Sequence, residues 1–380
     1  MSWSFPSRPT RALVDLGALA HNFAVARRAA GARAVIAVVK ADAYGHGAAD
    51  VARRLARDGC TRFAVATVSE AALLRAAGIG APILLLGGVH GPAEARGALA
   101  LETTPVVHHD GQCAWLEAAA AERGRRACVH VEVDTGMHRL GVPAADAAAL
   151  AERVAASAHL ALEGISTHFA RADEPDPAPT RAQAVAFAEV LERLRKRGVD
   201  PGLVHLANSA GLLGAPAWED VVTGNAVRPG LMLYGVPPAP RHEDAGLRPV
   251  MTVETEVAAL RRVQAGDGVG YGASWRAPRS GWIATLPMGY ADGIPWSVGR
   301  SGGAQVLLAG RRRPIVGRIS MDLVTVWLEE DAVAIGERAV LFGASAGERL
   351  GVEALAAAAQ TLPYEILVRV GARVPRVPIG

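Results

Sequence analysis

The fold is decided by the stretch Ala34-Val-Ile-Ala-Val-Val-Lys40-Ala-Asp-Ala-Tyr44-Gly-His-Gly47. Its first six residues are apolar and lead into a turn that contains glycine. This is the pattern of a parallel strand covered on both faces, although a short buried helix shares it. Lys40, which directly follows, either extends its ammonium group into solvent or, when partly buried, has a lowered pKa that suits Schiff-base formation.

The composition is that of a globular protein. The 380 residues are 51% hydrophobic and 20% charged, and this length predicts about two domains with large cores. The net charge is only +3, and the basic residues are interleaved with acids, which argues against nucleic-acid binding. Two basic clusters, at residues 193–197 and 311–313, are interpreted as solvated surface.

Cysteine and histidine form no recognisable metal site. Cys60, Cys113 and Cys128 are few and widely spaced, as is typical of a reducing compartment, and the adjacent His108 and His109 lack zinc-ligand spacing. No signal-peptide pattern and no long apolar span stand out. We therefore expect a cytoplasmic protein without a metal and without a membrane contact.

Short apolar runs alternate with alanine-rich helical segments along the N-terminal part of the chain. Besides the run before Lys40, the predicted strands are 63–66, 83–86, 105–107, 128–133, 162–166, 203–206 and 227–233. Upstream of them, Asp15 is predicted to cap a helix that ends near Gly31. About eight strand–helix repeats indicate the α/β class and a (β/α)8 barrel, similar to TIM barrels. The main alternative, a doubly wound sheet, lacks its glycine fingerprint after the first strand.

A second domain of mostly β structure is predicted after the proline-rich residues 236–240, which read as a linker. Its predicted strands are 251–257, 305–308, 324–328 and 339–342, followed by a helix at 351–361. We therefore expect a barrel domain over residues 11–240 and a C-terminal β domain over residues 247–380.

Polar residues follow the ends of the predicted strands, where the active sites of α/β barrels lie. They are Lys40, Asp134-Thr-Gly-Met-His-Arg139, His168, Asn208-Ser209 and Arg228-Pro-Gly230. Cationic, hydroxyl and glycine residues converging on one mouth indicate an anionic, phosphorylated ligand with an electrophilic carbonyl, and pyridoxal phosphate fits. Each residue alone could be structural, and Arg139 could simply pair with an acid.

The chain resembles the alanine racemases, the pyridoxal-phosphate enzymes of barrel type. In the first domain the matching motifs are Arg11-Ala-Leu-Val-Asp-Leu16, Val39-Lys-Ala-Asp-Ala-Tyr-Gly-His-Gly47, Val133-Asp-Thr-Gly-Met-His-Arg-Leu-Gly141, Ser166-Thr-His-Phe-Ala170, Asn208-Ser209 and Val227-Arg-Pro-Gly-Leu231. In the second domain they are Val269-Gly-Tyr-Gly-Ala-Ser-Trp275, Met288-Gly-Tyr-Ala-Asp-Gly293, Gly317-Arg-Ile-Ser-Met-Asp322, Pro363-Tyr-Glu365 and Arg373-Val-Pro-Arg376.

The resemblance implies a two-base racemisation of alanine. Lys40 would hold the cofactor and act as one base, and Tyr271, supplied by the partner subunit of a homodimer with shared active sites, would act as the other. Two groups are needed because the α-proton leaves one face and returns on the other. His168 would lie beside the tyrosine and supply positive charge that lowers its pKa. Arg228 would face the pyridine nitrogen, which a guanidinium cannot protonate.

The remaining assignments also rest on the resemblance. Tyr44, Ser209, Gly230, Leu231 and Tyr364 match phosphate-binding positions, and Asn208 is assigned to the cofactor site. Arg139 matches the arginine that meets the cofactor phenolate and the substrate carboxylate. Substrate contacts would also come from Met321, Asp322 and Tyr290, with Tyr290 and Tyr364 forming the gate of a small pocket.

One departure from the family pattern is Glu132. Many relatives carry at this position a lysine that becomes carbamylated and braces the arginine matching Arg139. Because glutamate supplies a carboxylate directly, we predict that Glu132 pairs with Arg139 and removes any dependence on carbon dioxide.

Three other functions remain open from the sequence. A barrel-type amino-acid decarboxylase shares the lysine, but Gly270-Tyr-Gly272 and Tyr364-Glu365 favour a racemase. A non-catalytic carrier of pyridoxal phosphate would resemble the barrel alone. The third is a broader racemase acting on serine or lysine. The expected function, to which these are alternatives, is the supply of D-alanine for peptidoglycan.

Overall fold

The computed structural model describes residues 8–345 and 347–380, which fall into two compact units. One, here called the barrel unit, comprises residues 19–43 and 48–248. The other, the β unit, comprises residues 44–47, 249–380 and the segment that ends at Ala18, within the described ranges.

The barrel unit contains a closed ring of eight parallel strands, which confirms the predicted barrel. In chain order these strands are Ala34–Val38, Arg62–Val65, Ile83–Leu85, Thr103–Val107, Ala127–Asp134, Leu160–Ser166, Leu203–His205 and Ala226–Val227. The pairing of the fourth strand with the fifth, Val106 opposite His130, closes the ring. A short strand, Val142–Pro143, pairs with the fifth strand at its end.

Helices connect the barrel strands. They are Leu16–Ala30, Lys40–Gly45, Ala48–Arg57, Val68–Ala76, Pro92–Ala100, Asp110–Glu122, Ala147–Ala156, Ala178–Lys196 and Ser209–Leu213, with 3-10 turns at Ala215–Ala217, Leu231–Tyr234 and Pro240–Ala245. The predicted cap of the first helix is confirmed, because Asp15 Oδ1 accepts a hydrogen bond from the N–H of Ala18 at 2.8 Å.

The predicted strand at residues 227–233 is wrong beyond its first residue. The eighth strand ends at Val227, and Leu231–Tyr234 forms a 3-10 turn instead. Pro229 explains the end of the strand, since proline has no N–H to donate to a neighbouring strand.

The β unit is mostly β structure, as expected, and is built on a large, mostly antiparallel sheet. The strands of the unit are Arg11–Asp15, Met251–Glu256, Ala259–Val263, Gly268–Val269, Trp275–Arg276, Gly281–Leu286, Gln305–Leu308, Arg311–Val316, Val324–Glu329, Arg338–Ser345, Glu348–Leu350 and Arg376–Ile379. Its helices are Val298–Ser301, Val352–Ala359 and Pro363–Arg369, with 3-10 turns at Tyr271–Ala273 and Tyr290–Asp292. Buried side chains of Val269, Ile283, Val316 and Trp327 form part of its core.

The strand Arg11–Asp15 was expected at the start of the barrel domain. It pairs instead with Met251–Glu256 and Arg376–Ile379 in the sheet of the β unit. Alternation explains this position, since Ala12 and Val14 are buried while Arg11 is exposed, as in a strand with one covered face. Among the described residues, none of the helices combines the length and the apolar character that crossing a bilayer requires.

Candidate active site

Lys40 lies at the C-terminal end of the first barrel strand, as predicted, and its side chain is partly buried. Burial lowers the pKa of its amine, and the positive charges of Arg139 and Arg228 lower it further, while Glu70 opposes the shift. A lysine with a lowered pKa has more of its amine in the unprotonated, nucleophilic form. The barrel therefore presents an amine suited to carbonyl chemistry.

The residues after Lys40 form a strained left-handed turn. Ala41, Asp42, Ala43 and Tyr44 have φ values of 51–55°, a region that costs a residue with a Cβ about 1–2 kcal/mol. Residues 41–43 of this turn belong to the barrel unit, and two carboxylates stabilise them. Glu70 accepts from the N–H of Ala41, and Asp42 accepts from the N–H of Ala48, both at 2.7 Å. Backbone strain of this kind persists where the surroundings fix it.

Arg228 lies directly after the eighth strand and is only 4% exposed. Its guanidinium donates to the carbonyl oxygen of His205 at 2.9 Å and to that of Thr167 at 2.8 Å. It also donates to Nδ1 of His205 and, at 3.1 Å, to Nδ1 of His168. Burial lowers the pKa of Arg228, and the charge of Glu132 opposes that shift.

His168 is uncharged in this setting. Burial, followed by the positive charges of Arg228 and Arg139, holds the pKa of its imidazole well below its usual value. Because Nδ1 accepts from Arg228, the single proton of the neutral ring is assigned to Nε2. The amide nitrogen of Asn208 lies 3.3 Å from that Nε2 atom, but because both groups are donors, it donates instead to the carbonyl oxygen of Phe169 at 3.4 Å. The prediction of a positive charge on His168 is therefore wrong. Any effect of His168 on the pKa of a neighbouring tyrosine must come from its Nε2–H and from the charge of Arg228, which bonds to its Nδ1.

The ends of the seventh and eighth strands form a small polar cradle. Asn208 caps the helix that begins at Ser209, accepting from the N–H of Gly211 at 2.9 Å. The Ser209 hydroxyl accepts from the backbone N–H of Gly230 at 2.9 Å and of Met232 at 3.2 Å, and Leu231 lies between these two donors. Because the Ser209 oxygen already accepts from two N–H groups, its O–H is directed elsewhere and can donate to an anionic oxygen.

Arg139 does not pair with Glu132 in the described structure. Glu132 instead accepts a hydrogen bond from the hydroxyl of Ser166, which lies directly opposite it on the sixth strand. Arg139 is exposed in the loop after the fifth strand. The prediction of this pair is wrong here because the short side chain of glutamate is held by its neighbour in the barrel wall.

Tyr271 is presented by the β unit on a tight turn. It is 70% exposed and lies between Gly270 and Gly272, whose φ values of 71° and 69° belong to the left-handed region. A Cβ atom on Gly272 would lie 3.5 Å from the guanidinium carbon of Arg318. The turn thus packs closely against Arg318 while Tyr271 itself stays exposed.

Apart from Tyr44, which is buried, the other predicted site residues of the β unit are at least partly exposed. The rings of Tyr44 and Tyr364 have centroids 6.1 Å apart, Arg373 donates to Asp322 at 2.6 Å, and Tyr290 lines a cavity of about 470 Å³ with Trp296. Exposed fractions are 43% for Tyr290, 52% for Met321 and 39% for Tyr364. Burial raises the pKa of Tyr44 well above its usual value, so its hydroxyl keeps its proton and can donate.

Sequence reasoning missed Glu70 and His205. Glu70 is recognisable as the last residue of the capping box that starts at Thr67, but its second bond, to the N–H of Ala41, depends on the barrel. His205 lies three residues before Asn208, in a strand predicted to be apolar, and a polar residue in such a strand was the available signal.

A (β/α)8 barrel with a lysine of lowered pKa, a buried arginine and a polar cradle at its strand ends is typical of barrel enzymes that use a lysine amine. Two family profiles match the chain: "Alanine racemase, N-terminal domain" over residues 14–238 and "Alanine racemase, C-terminal domain" over residues 250–378. The chain therefore belongs to the alanine racemase family.

Similar proteins extend over nearly the whole chain. The alanine racemase of Geobacter sulfurreducens is 40% identical, covering 98% of this chain and 97% of that protein. The alanine racemase of Mycolicibacterium smegmatis is 41% identical, with 99% and 96% covered. The crystal structure of the alanine racemase from Streptomyces lavendulae superposes with a TM-score of 0.92 at 39% identity, covering 99% and 98% of the two chains.

Proposed function

We propose that this protein is a pyridoxal-phosphate-dependent alanine racemase that works as a homodimer and uses Lys40 and Tyr271 as its two bases. The observation that carries the proposal is the amine of Lys40, whose pKa is lowered by burial and by two arginines at the mouth of the barrel. Family membership at about 40% identity supports alanine as the substrate.

The residues present fit the cofactor. Lys40 would bind its carbonyl carbon, and Arg228 would donate to its ring nitrogen. Its phosphate would be held by Ser209, Gly230, Leu231, Tyr44 and Tyr364. Asn208 would position Ser209, because it caps the helix that begins there. The supporting observation is the Ser209 hydroxyl, which already lies 2.9 Å from the N–H of Gly230. When bound, pyridoxal phosphate draws electron density from the α-carbon of the amino acid and so acidifies its proton.

Arg228 would tune that withdrawal. Its guanidinium stays protonated, so it would donate a hydrogen bond to the ring nitrogen without transferring a proton. By leaving that nitrogen unprotonated, Arg228 would limit the electron withdrawal and so disfavour side reactions such as transamination. The acceptors around Arg228 hold its donors in fixed directions.

Racemisation then needs one proton acceptor on each face of the α-carbon. Lys40 would serve one face. Tyr271 of the partner subunit would serve the other, with the Nε2–H of His168 stabilising its phenolate. The high exposure of Tyr271 in the single chain supports its delivery to a second subunit.

The substrate site would take a small amino acid. Arg139 would meet its carboxylate, with Met321 and Asp322 beside it, while Tyr290 and Tyr364 would limit the volume for the side chain. We further propose that the product D-alanine supplies peptidoglycan synthesis in the cytoplasm, where the three free cysteines would stay reduced. A racemase of broader specificity, acting on serine or lysine, is the second candidate.

The direct test is to incubate the purified protein and pyridoxal phosphate with L-alanine while following optical rotation and released carbon dioxide. We expect the rotation to fall to zero without carbon dioxide. Release of carbon dioxide would indicate a decarboxylase, and unchanged alanine in the presence of bound cofactor would favour a carrier. Racemisation of serine or lysine at a comparable kcat/KM would favour the broader enzyme.

A further inference from the structure

The barrel unit contains a file of buried polar side chains that begins at Arg228 and continues through His205 to His130. Nδ1 of His130 lies 2.7 Å from Nε2 of His205, and His205 in turn meets Arg228. His130 is 2% exposed and His205 is 0% exposed. The proposed chemistry gives a role to Arg228 but none to His130.

The direction of the hydrogen bonds in this file follows from Arg228, because a guanidinium can only donate. Nδ1 of His205 accepts from Arg228, so the proton of the neutral imidazole is on Nε2. That proton is donated to Nδ1 of His130, so the proton of His130 is on its own Nε2. Burial holds the pKa of His205 well below its usual value and lowers that of His130 to about 4, so both rings are neutral.

A carboxylate stands at the far end of the file. Glu163 accepts from Arg62 at 2.7 Å and from Thr104 at 2.9 Å, and its negative charge opposes the burial that lowers the pKa of His130. His130, Arg62 and Thr104 also line a cavity of about 10 Å³, which is the size of one water molecule. The charge of Glu163 therefore favours a proton on Nε2 of His130, the ring nitrogen that does not contact His205.

The backbone is adapted to this arrangement. Val129 pairs with Leu162 but His130 pairs with Gly164, so Glu163 is the extra residue of a β-bulge. A Cβ atom on Gly164 would lie 2.6 Å from Cε1 and 2.7 Å from Nδ1 of His130, closer than atoms can approach. The bulge and the glycine together make room for the imidazole of His130 and place Glu163 near it.

We propose that His130 and Glu163 are positioning residues that act together with Arg228 to fix the tautomer of His205 and thereby keep an acceptor lone pair directed at Arg228. If His205 carried its proton on Nδ1, that N–H would face the N–H of Arg228 and the guanidinium would lose an acceptor. A buried donor without an acceptor is costly, so Arg228 would shift. This inference rests on the proposed function, in which the direction of the Arg228 donors matters.

The test compares His130→Leu, which removes the acceptor, with His130→Asn, whose side-chain oxygen can replace Nδ1. The first readout is the ¹⁵N NMR signal of the His205 side chain in the full-length protein without cofactor or substrate. We expect one tautomer, with the proton on Nε2, in the wild type and in His130→Asn, and a mixture in His130→Leu. The second readout is kcat and KM for L-alanine, where we expect His130→Leu to lower kcat by about tenfold at similar KM and His130→Asn to restore most of it.

Glu163→Gln provides a second variant in case His130→Leu does not fold, since it removes the charge but keeps an oxygen for Arg62 and Thr104. It is expected to mix the tautomers of His205 as well. Cys128→Ser, on the same strand but exposed, is the matched control and should change neither readout. A single, unchanged tautomer in both His130→Leu and Glu163→Gln would overturn the inference. Failure of the wild type to racemise alanine would overturn the proposed function instead, and the NMR result would still decide the tautomer.

Discussion

The carboxylate of Glu70 accepts a hydrogen bond from the backbone N–H of Ala41 at 2.7 Å and so ties the left-handed turn after Lys40 to the loop that follows the next strand. Its second oxygen accepts from the N–H of Ala66 at 2.7 Å. One side chain therefore joins two neighbouring strand ends, and the lysine amine is held by a backbone that is strained but fixed.

Glu70→Gln should weaken this connection. A glutamine has one acceptor oxygen, so at least one of these N–H groups loses its partner, at a cost of about 1 kcal/mol in the free energy of unfolding. We also expect a lower kcat, since Lys40 would be less well placed. Urea unfolding and steady-state kinetics measure both, with Ser69→Ala as an exposed neighbouring control. Equal stability and equal kcat in Glu70→Gln would contradict this role.

Glu132→Gln separates two roles for this carboxylate. Because Glu132 is bonded to Ser166 and opposes the lowered pKa of Arg228, we expect loss of its charge to lower kcat by about fivefold with little change in KM for alanine. Ser166→Ala, which keeps the charge, should have a smaller effect. A tenfold or larger rise in KM at constant kcat would show instead that Glu132 acts through Arg139 when substrate is bound.

The stability of the protein should fall in mild acid. The pKa of His130 is lowered to about 4 in the folded chain and is about 6.5 when unfolded. The unfolded state therefore binds more protons between these values, and stability is complete above pH 6.5 and is lost as the pH falls toward 4, by about 3 kcal/mol for this residue. His130→Asn should show a shallower loss in urea unfolding at pH 7.5, 6 and 5, whereas His159→Asn, at an exposed position, should match the wild type. Parallel curves for all three proteins would contradict the burial of a neutral His130.

Mixed dimers test whether the active sites are shared. Lys40→Ala and Tyr271→Phe chains should each be inactive alone. If Tyr271 serves the partner's Lys40 site, a hybrid dimer carries one intact site and should recover about half of the wild-type activity. Co-expression with two affinity tags isolates the hybrid, and no recovery in it would mean that both residues act within one chain.

The sequence predicted the barrel because its signals are local. Short apolar runs such as residues 34–39, followed by polar residues, are the local pattern that buried parallel strands require. The Glu163 bulge, the partner of Glu132 and the charge of His168 were not predictable in the same way. They depend on register between strands far apart in the chain and on burial beside Arg228, which no short pattern contains.

The central claim is that two bases serve opposite faces of the α-carbon, and isotope exchange by Tyr271→Phe in deuterated water tests it most directly. With Lys40 intact, the variant should exchange the α-proton of one enantiomer of alanine for deuterium without inverting it, while the wild type exchanges and inverts both. Retained racemisation in Tyr271→Phe at a rate near that of the wild type would contradict the account, because a single base would then serve both faces.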